Sequence, residues 1–143
     1  MYFMLSKVKS SGLKGIDGFI IDVETDISNG IPTFELVGLG DIAVKEAKER
    51  VRAALKNSGY DFPVRRITVN LAPANLRKEG SALDLPIAIG ILTATGRIKN
   101  SLVDNYMFIG ELSLDGEIKG VNGVLSIILL QIVYWKMLPL CYY

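Results

Sequence analysis

The chain has no histidine and a single cysteine, Cys141. The missing histidine excludes Ser-His-Asp and Cys-His catalysis, and one cysteine makes neither an internal disulfide nor the usual zinc ligand sets. A metal-free, cytoplasmic protein is expected. No G-x-x-x-x-G-K-[ST] stretch occurs, so there is no P-loop and no cofactor is expected in this chain. Residues 1–10, MYFMLSKVKS, hold no apolar run long enough for a signal peptide. Low-complexity tracts and internal repeats are also missing. What remains is 143 residues, half of them hydrophobic and 22% charged, the balance of one globular domain with a real core.

The net charge is only +1, yet residues 42–78 carry nine basic and three acidic groups, a local charge of +6. Such a segment faces either solvent or a polyanion. Arg50, Arg52, Lys56, Arg65, Arg66, Arg77 and Lys78 are therefore the candidate nucleic-acid contacts.

Residues 4–9 and 18–27 read as strands. In the second, Asp22, Glu24 and Asp26 alternate with Ile21, Val23 and Ile27, giving one wet and one buried face. Carboxylates at this period lie about 7 Å apart, too far to share one cation, so no metal site is expected there. Asn29-Gly30 is a turn pair before a third strand, Thr33–Val37, which leads into Gly38-Leu39-Gly40-Asp41. Asp41 is expected to cap a helix reaching about Ser58, with Val44, Ala47, Val51, Ala54 and Leu55 on its apolar stripe and Gly59 as its stop. The run Gly38 to Ala43 formally fits G-x-G-x-x-A. However, Asp41 sets a carboxylate where pyrophosphate would sit, and the next strand ends in Asn70 rather than a ribose-binding acid, so a tight turn is the better reading. From Leu83 to Leu92 the pattern is apolar nearly all round, as in a covered helix stopped by Gly96. Ser81 or Asp84 supplies its start, and spacing leaves both open. Leu114-Asp115-Gly116-Glu117 is a hairpin signal.

Three long stretches, FELVGLGDIAVKEAKERVRAAL (34–55), ITVNLAPANLRKEGSALDLPIAIGIL (67–92) and FIGELSLDGEIKGVNGVL (108–125), resemble in order the N-terminal domain of the ComM/YifB family, the magnesium-chelatase-like AAA+ proteins. The resemblance covers roughly residues 4–127. It implies an α+β fold of the Lon-protease-domain type, related to ribosomal-protein domain two, with helices on one face of a mixed sheet. It also implies an AAA+ ATPase module normally on the same chain, ATP and magnesium in the full-length proteins, and a homo-oligomer. DNA is the implied partner, through branch migration in natural transformation.

Lon-type enzymes use a Ser-Lys dyad, in which a lysine with a pKa lowered by burial activates the serine. Lys78-Glu79-Gly80-Ser81-Ala82 is similar to the serine stretch of those proteases with one residue missing. The lysine position falls on Leu125; Lys119 comes too early, and Lys78 is expected to be solvated. Ser81 therefore reads as a cap rather than a nucleophile, and the chain as non-catalytic. A Ser81 peptidase and a stand-alone nucleic-acid-binding module are the alternatives. From Ser126 the chain reads SIILLQIVYWKMLPLCYY, whose only charge is Lys136, and the match is lost after about Ile127. Its uncharged run is shorter than the ~20 apolar residues of a membrane span, so no membrane is expected. Residues 128–143 read instead as a divergent tail of a truncated or frame-shifted product, best covered by another copy.

Overall fold

The computed structural model describes residues 4–78, 80–127, 129 and 140–142. Its centre is a mixed sheet built from β1 (Met4–Lys14), β2 (Asp17–Ser28), β3 (Thr33–Val37), β4 (Arg66–Ala72), β5 (Met107–Ile109) and, by its backbone, β8 (Leu140–Tyr142). The spatial order is β3-β4-β2-β1-β5-β8. β1 and β2 form a long antiparallel pair and β2 runs antiparallel to β4. β3 with β4, β1 with β5 and β5 with β8 are parallel. A separate hairpin joins β6 (Glu111–Leu112) to β7 (Ile118–Lys119). The expected α+β class with a mixed sheet is what the chain adopts, and both early strands run longer than their alternation suggested.

Alternation sets the two faces. Ile21, Val23, Thr25 and Ile27 of β2 are buried beside Val8 of β1 and Ile67, Val69 and Leu71 of β4. On the opposite face Asp22 pairs with Lys9, and Glu24 accepts a hydrogen bond from Asn70 at 2.9 Å. These acids thus have neighbours of their own on the wet side.

The helix α1 (Asp41–Asn57) crosses over between the parallel strands β3 and β4 and buries Ala47, Val51, Ala54 and Leu55 of the expected stripe, with Val44 partly buried against the core. Its start differs from expectation: Gly40 occupies the cap position and no side chain caps the helix. Asp41 is already the first helical residue, where its charge meets the positive end of the helix dipole. Gly59, at φ 88°, ends the helix as expected.

The helix α2 (Asp84–Ala94) packs on β1 and β2, and every residue of it except Ile89 and Leu92 is buried. It approaches the sheet closely because Gly90 has no side chain. A Cβ there would lie 2.6 Å from Thr25 Oγ1, and the Gly90 carbonyl accepts a hydrogen bond from Ser6 Oγ at 2.7 Å. Neither Ser81 nor Asp84 caps α2, whose cap position is Leu83 with no side-chain bond. Both side chains are committed elsewhere, as described below. A four-residue helix, α3 (Asn100–Val103), precedes β5 and had no signal in the sequence.

The expected hairpin forms: Ser113 N–H donates to Glu117 O at 2.9 Å, with Gly116 at φ 93° in the turn. Among the described residues no helix is long and apolar enough to cross a membrane. The tail expected at 128–143 lies outside the described residues, apart from 129 and the backbone of β8.

Candidate functional site

Where β4 ends, the chain passes through Pro73 and turns back toward α2. A cavity of about 330 Å³ lies at this end of the sheet, lined by Lys78, Ser81, Glu111, Phe19, Leu13 and Asn122 among others. Ser81 stands at its wall because the turn before α2 holds it there, with Asp84 N–H donating to Ser81 O at 3.1 Å. Its hydroxyl donates to Glu111 Oε2 at 2.5 Å. Ser81 is therefore not a helix cap, and its partner among the described residues is a carboxylate rather than a lysine.

Lys78 corrects another expectation. It is 4% exposed rather than solvated, and its ammonium donates to the carbonyls of Pro73 and Leu76, the latter at 2.8 Å. Burial pushes its pKa below the usual lysine range. Both a buried lysine and a serine thus line one cavity, but each hydrogen bond described for them ends on another group. A lysine activates a serine hydroxyl by accepting its proton, and the hydrogen bond described for this hydroxyl goes to the Glu111 carboxylate instead. Leu125, at the position where a dyad lysine would fall, is 71% exposed.

Behind the cavity wall is a buried charge. The Asp84 side chain is 1% exposed and receives Arg50 Nε at 2.6 Å, Arg50 Nη2 at 3.1 Å and the Leu112 N–H at 3.2 Å. Burial raises the Asp84 pKa, opposed first by the Arg50 bond. The same bond raises that of Arg50. Arg50 also reaches Glu46 at 3.9 Å. The bidentate pair ties α1 to α2, and the Leu112 amide ties both to β6.

Residues 23–134 match the family described as subunit ChlI of Mg-chelatase. The chain belongs to this family. Among relatives, the competence protein ComM of Haemophilus influenzae is 48% identical over 125 residues, which cover 87% of this chain and 25% of the relative. YifB of Escherichia coli K12 is 47% identical over 122 residues, covering 85% and 24%. Rv2897c of Mycobacterium tuberculosis H37Rv is 42% identical over 125 residues, covering 87% and 25%. This ChlI-family chain therefore corresponds to about a quarter of the curated relatives it matches, and the ComM/YifB resemblance holds.

The seven cations singled out from the ChlI-family sequence do not form one face. Arg50 is held by Asp84, and Lys78 is inside the cavity wall. Arg52 lies with its guanidinium carbon 5.2 Å from the centre of the Phe62 ring. Arg50 and Arg52 are two residues apart in α1, so they point to nearly opposite sides of the helix. Arg65 and Arg66 are exposed at the start of β4, and Lys56 is exposed at the end of α1, which returns to that same end of the sheet. Arg77 is exposed past the other end of β4. At ~3.3 Å per residue, the seven-residue strand β4 (Arg66–Ala72) separates the two groups by about 20 Å.

Sequence reasoning missed two roles in this ChlI-family domain. No spacing in the sequence marks Glu111, 30 positions away, as the residue that holds Ser81. Asp84 was weighed as a cap, yet it is the buried partner of Arg50. The signal for Asp84 is its place at the head of an apolar run, because a carboxylate buried with that run needs a cation.

Proposed function

We propose that the chain is a non-catalytic, DNA-engaging and oligomerising domain of a ComM/YifB-type AAA+ protein, acting in DNA processing during competence. The 48% identity to a competence protein over most of the chain supports the process. In this reading ATP and magnesium are handled by an AAA+ module outside the matched quarter, and the assembly works in the cytoplasm. The observation that carries DNA contact is the exposed group Lys56, Arg65 and Arg66. Among the described residues none of the three is in an ion pair. Free surface cations release counterions when they meet phosphates, the main source of sequence-independent affinity.

Fluorescence anisotropy of the full chain with labelled DNA at low salt tests this. The triple variant Lys56→Glu, Arg65→Glu, Arg66→Glu loses binding to every sequence, while Arg77→Glu, about 20 Å away, stays within a factor of ~2 of the parent. The parent's log affinity falls against log salt with a slope of about −2 to −3, the value for three phosphate contacts. Absence of binding even at low salt removes the DNA reading.

The non-catalytic part has its own readout. A fluorophosphonate probe leaves Ser81 unlabelled in the parent chain, as it leaves Ser81→Ala. Labelling that Ser81→Ala abolishes would establish an activated serine and favour the peptidase alternative.

A further inference from the structure

The cationic end of the sheet also carries apolar side chains that stand exposed. Ile31, in the β2–β3 connection, is 83% exposed, and Val64, just before β4, is 81% exposed. Two contacts hold these segments side by side. Thr33 N–H donates to Arg65 O at 3.3 Å, and a Cβ on Gly30 would stand 3.7 Å from Arg66 Cβ. Ile31 and Val64 thus flank Arg65 and Arg66 on one tip, and Tyr60, 40% exposed, leaves α1 at the same end.

We infer that this tip selects DNA with unpaired bases over intact duplex, with Arg65 and Arg66 on phosphates and Ile31 and Val64 against the exposed faces of bases. The inference rests on the DNA reading proposed above. Two guanidiniums without ion pairs complement a polyanion but cannot distinguish duplex from single strand, since both present phosphates. The apolar pair makes the distinction. In duplex DNA the base faces are stacked on one another, and an aliphatic side chain reaches them only at an unstacking cost of about a few kcal/mol per step. Unpaired strands and junctions expose them, and apolar side chains at a cationic surface gain by covering them. Both residues lie at turn-flanking positions outside the core of the described residues.

The experiment uses the full chain with a labelled 30-mer, as single strand and as blunt duplex, in anisotropy titrations at one fixed low salt. The parent binds single strand about five- to tenfold more tightly than duplex. The double variant Ile31→Ser, Val64→Ser loses that preference while its duplex affinity is unchanged, and Arg65→Glu, Arg66→Glu loses both affinities. Circular dichroism and light scattering on each variant report folding and mass. A parent that binds both DNAs equally overturns the inference and leaves the DNA reading standing; a parent that binds neither ends both. Retained preference in the double variant, or an equal loss for both DNAs, also overturns it. A change of oligomeric mass in the double variant without a change in DNA preference assigns the tip to contact between copies instead.

Discussion

Arg50→Met lowers the stability of the chain by ~3 kcal/mol at neutral pH, a loss of about 10 °C in Tm on thermal unfolding. The expected size comes from what is left behind. Asp84 has a side chain 1% exposed and two contacts to Arg50; without them it keeps, among the described residues, only the Leu112 amide at 3.2 Å. An unpaired carboxylate at that depth costs far more than the net worth of the pair. The loss also depends on pH in a fixed direction. The folded-state pKa of Asp84 already lies above its ordinary value, because burial outweighs Arg50, and removing Arg50 raises it further. A group raised in this way adds stability below its unfolded pKa, and that contribution is lost as pH rises through the folded value. In Arg50→Met the carboxyl takes a proton on acidification, so the gap to the parent narrows from pH 7 toward pH 4. A gap that widens over that range contradicts this account. The double variant Arg50→Met, Asp84→Leu recovers most of the loss and leaves about 1 kcal/mol for the Leu112 amide, which no longer has an acceptor.

Gly90→Val is the other substitution with a large expected effect. Helix propensity alone would favour Ala over glycine by ~1 kcal/mol and Val by roughly half that or less. Contact reverses the sign, since the first carbon of the new side chain arrives 2.6 Å from Thr25 Oγ1 and 3.5 Å from Ser6 Oγ. Both partners are in the sheet and buried, at 0% and 3% exposure, so neither can swing away. α2 must lift off β1 and β2, which breaks the Ser6 to Gly90 hydrogen bond and costs about 3 kcal/mol from overpacking. Urea unfolding measures it; Gly90→Ala, with only the first carbon, falls between the parent and Gly90→Val. An equally stable Gly90→Val would mean that α2 is not seated on the sheet as described.

The elements that periodicity defines were legible before any coordinates. The stripe of α1, the alternation of β2 and the Asp115-Gly116 turn all appear where the residues put them. Local patterns report which face is buried, and burial is what drives those elements. The caps were not legible. Asp41, Ser81 and Asp84 all belong to the residue types that cap helices, but only Asp41 stays near a helix end with no other partner in the described structure. Ser81 and Asp84 meet residues 30 and 34 positions away in the chain, Glu111 and Arg50, and no spacing rule contains those distances. The candidate site was affected most. Seven cations form one cluster in the sequence, yet the fold sends them to two ends of a sheet, into an ion pair and into a cavity wall, since a parallel crossover moves consecutive segments to opposite ends.

The strand β4 pairs with β2 over its whole length, Arg66–Ala72, and with β3 from Arg66 to Asn70. The spacing between the Arg65–Arg66 tip and the Ser81 cavity is therefore a ruler graduated in peptide units. A core substitution can weaken the fold that carries the ruler, but only an insertion or deletion in the strand changes its length. Whatever binds at one end and whatever occupies the other are held at a separation written into the covalent chain.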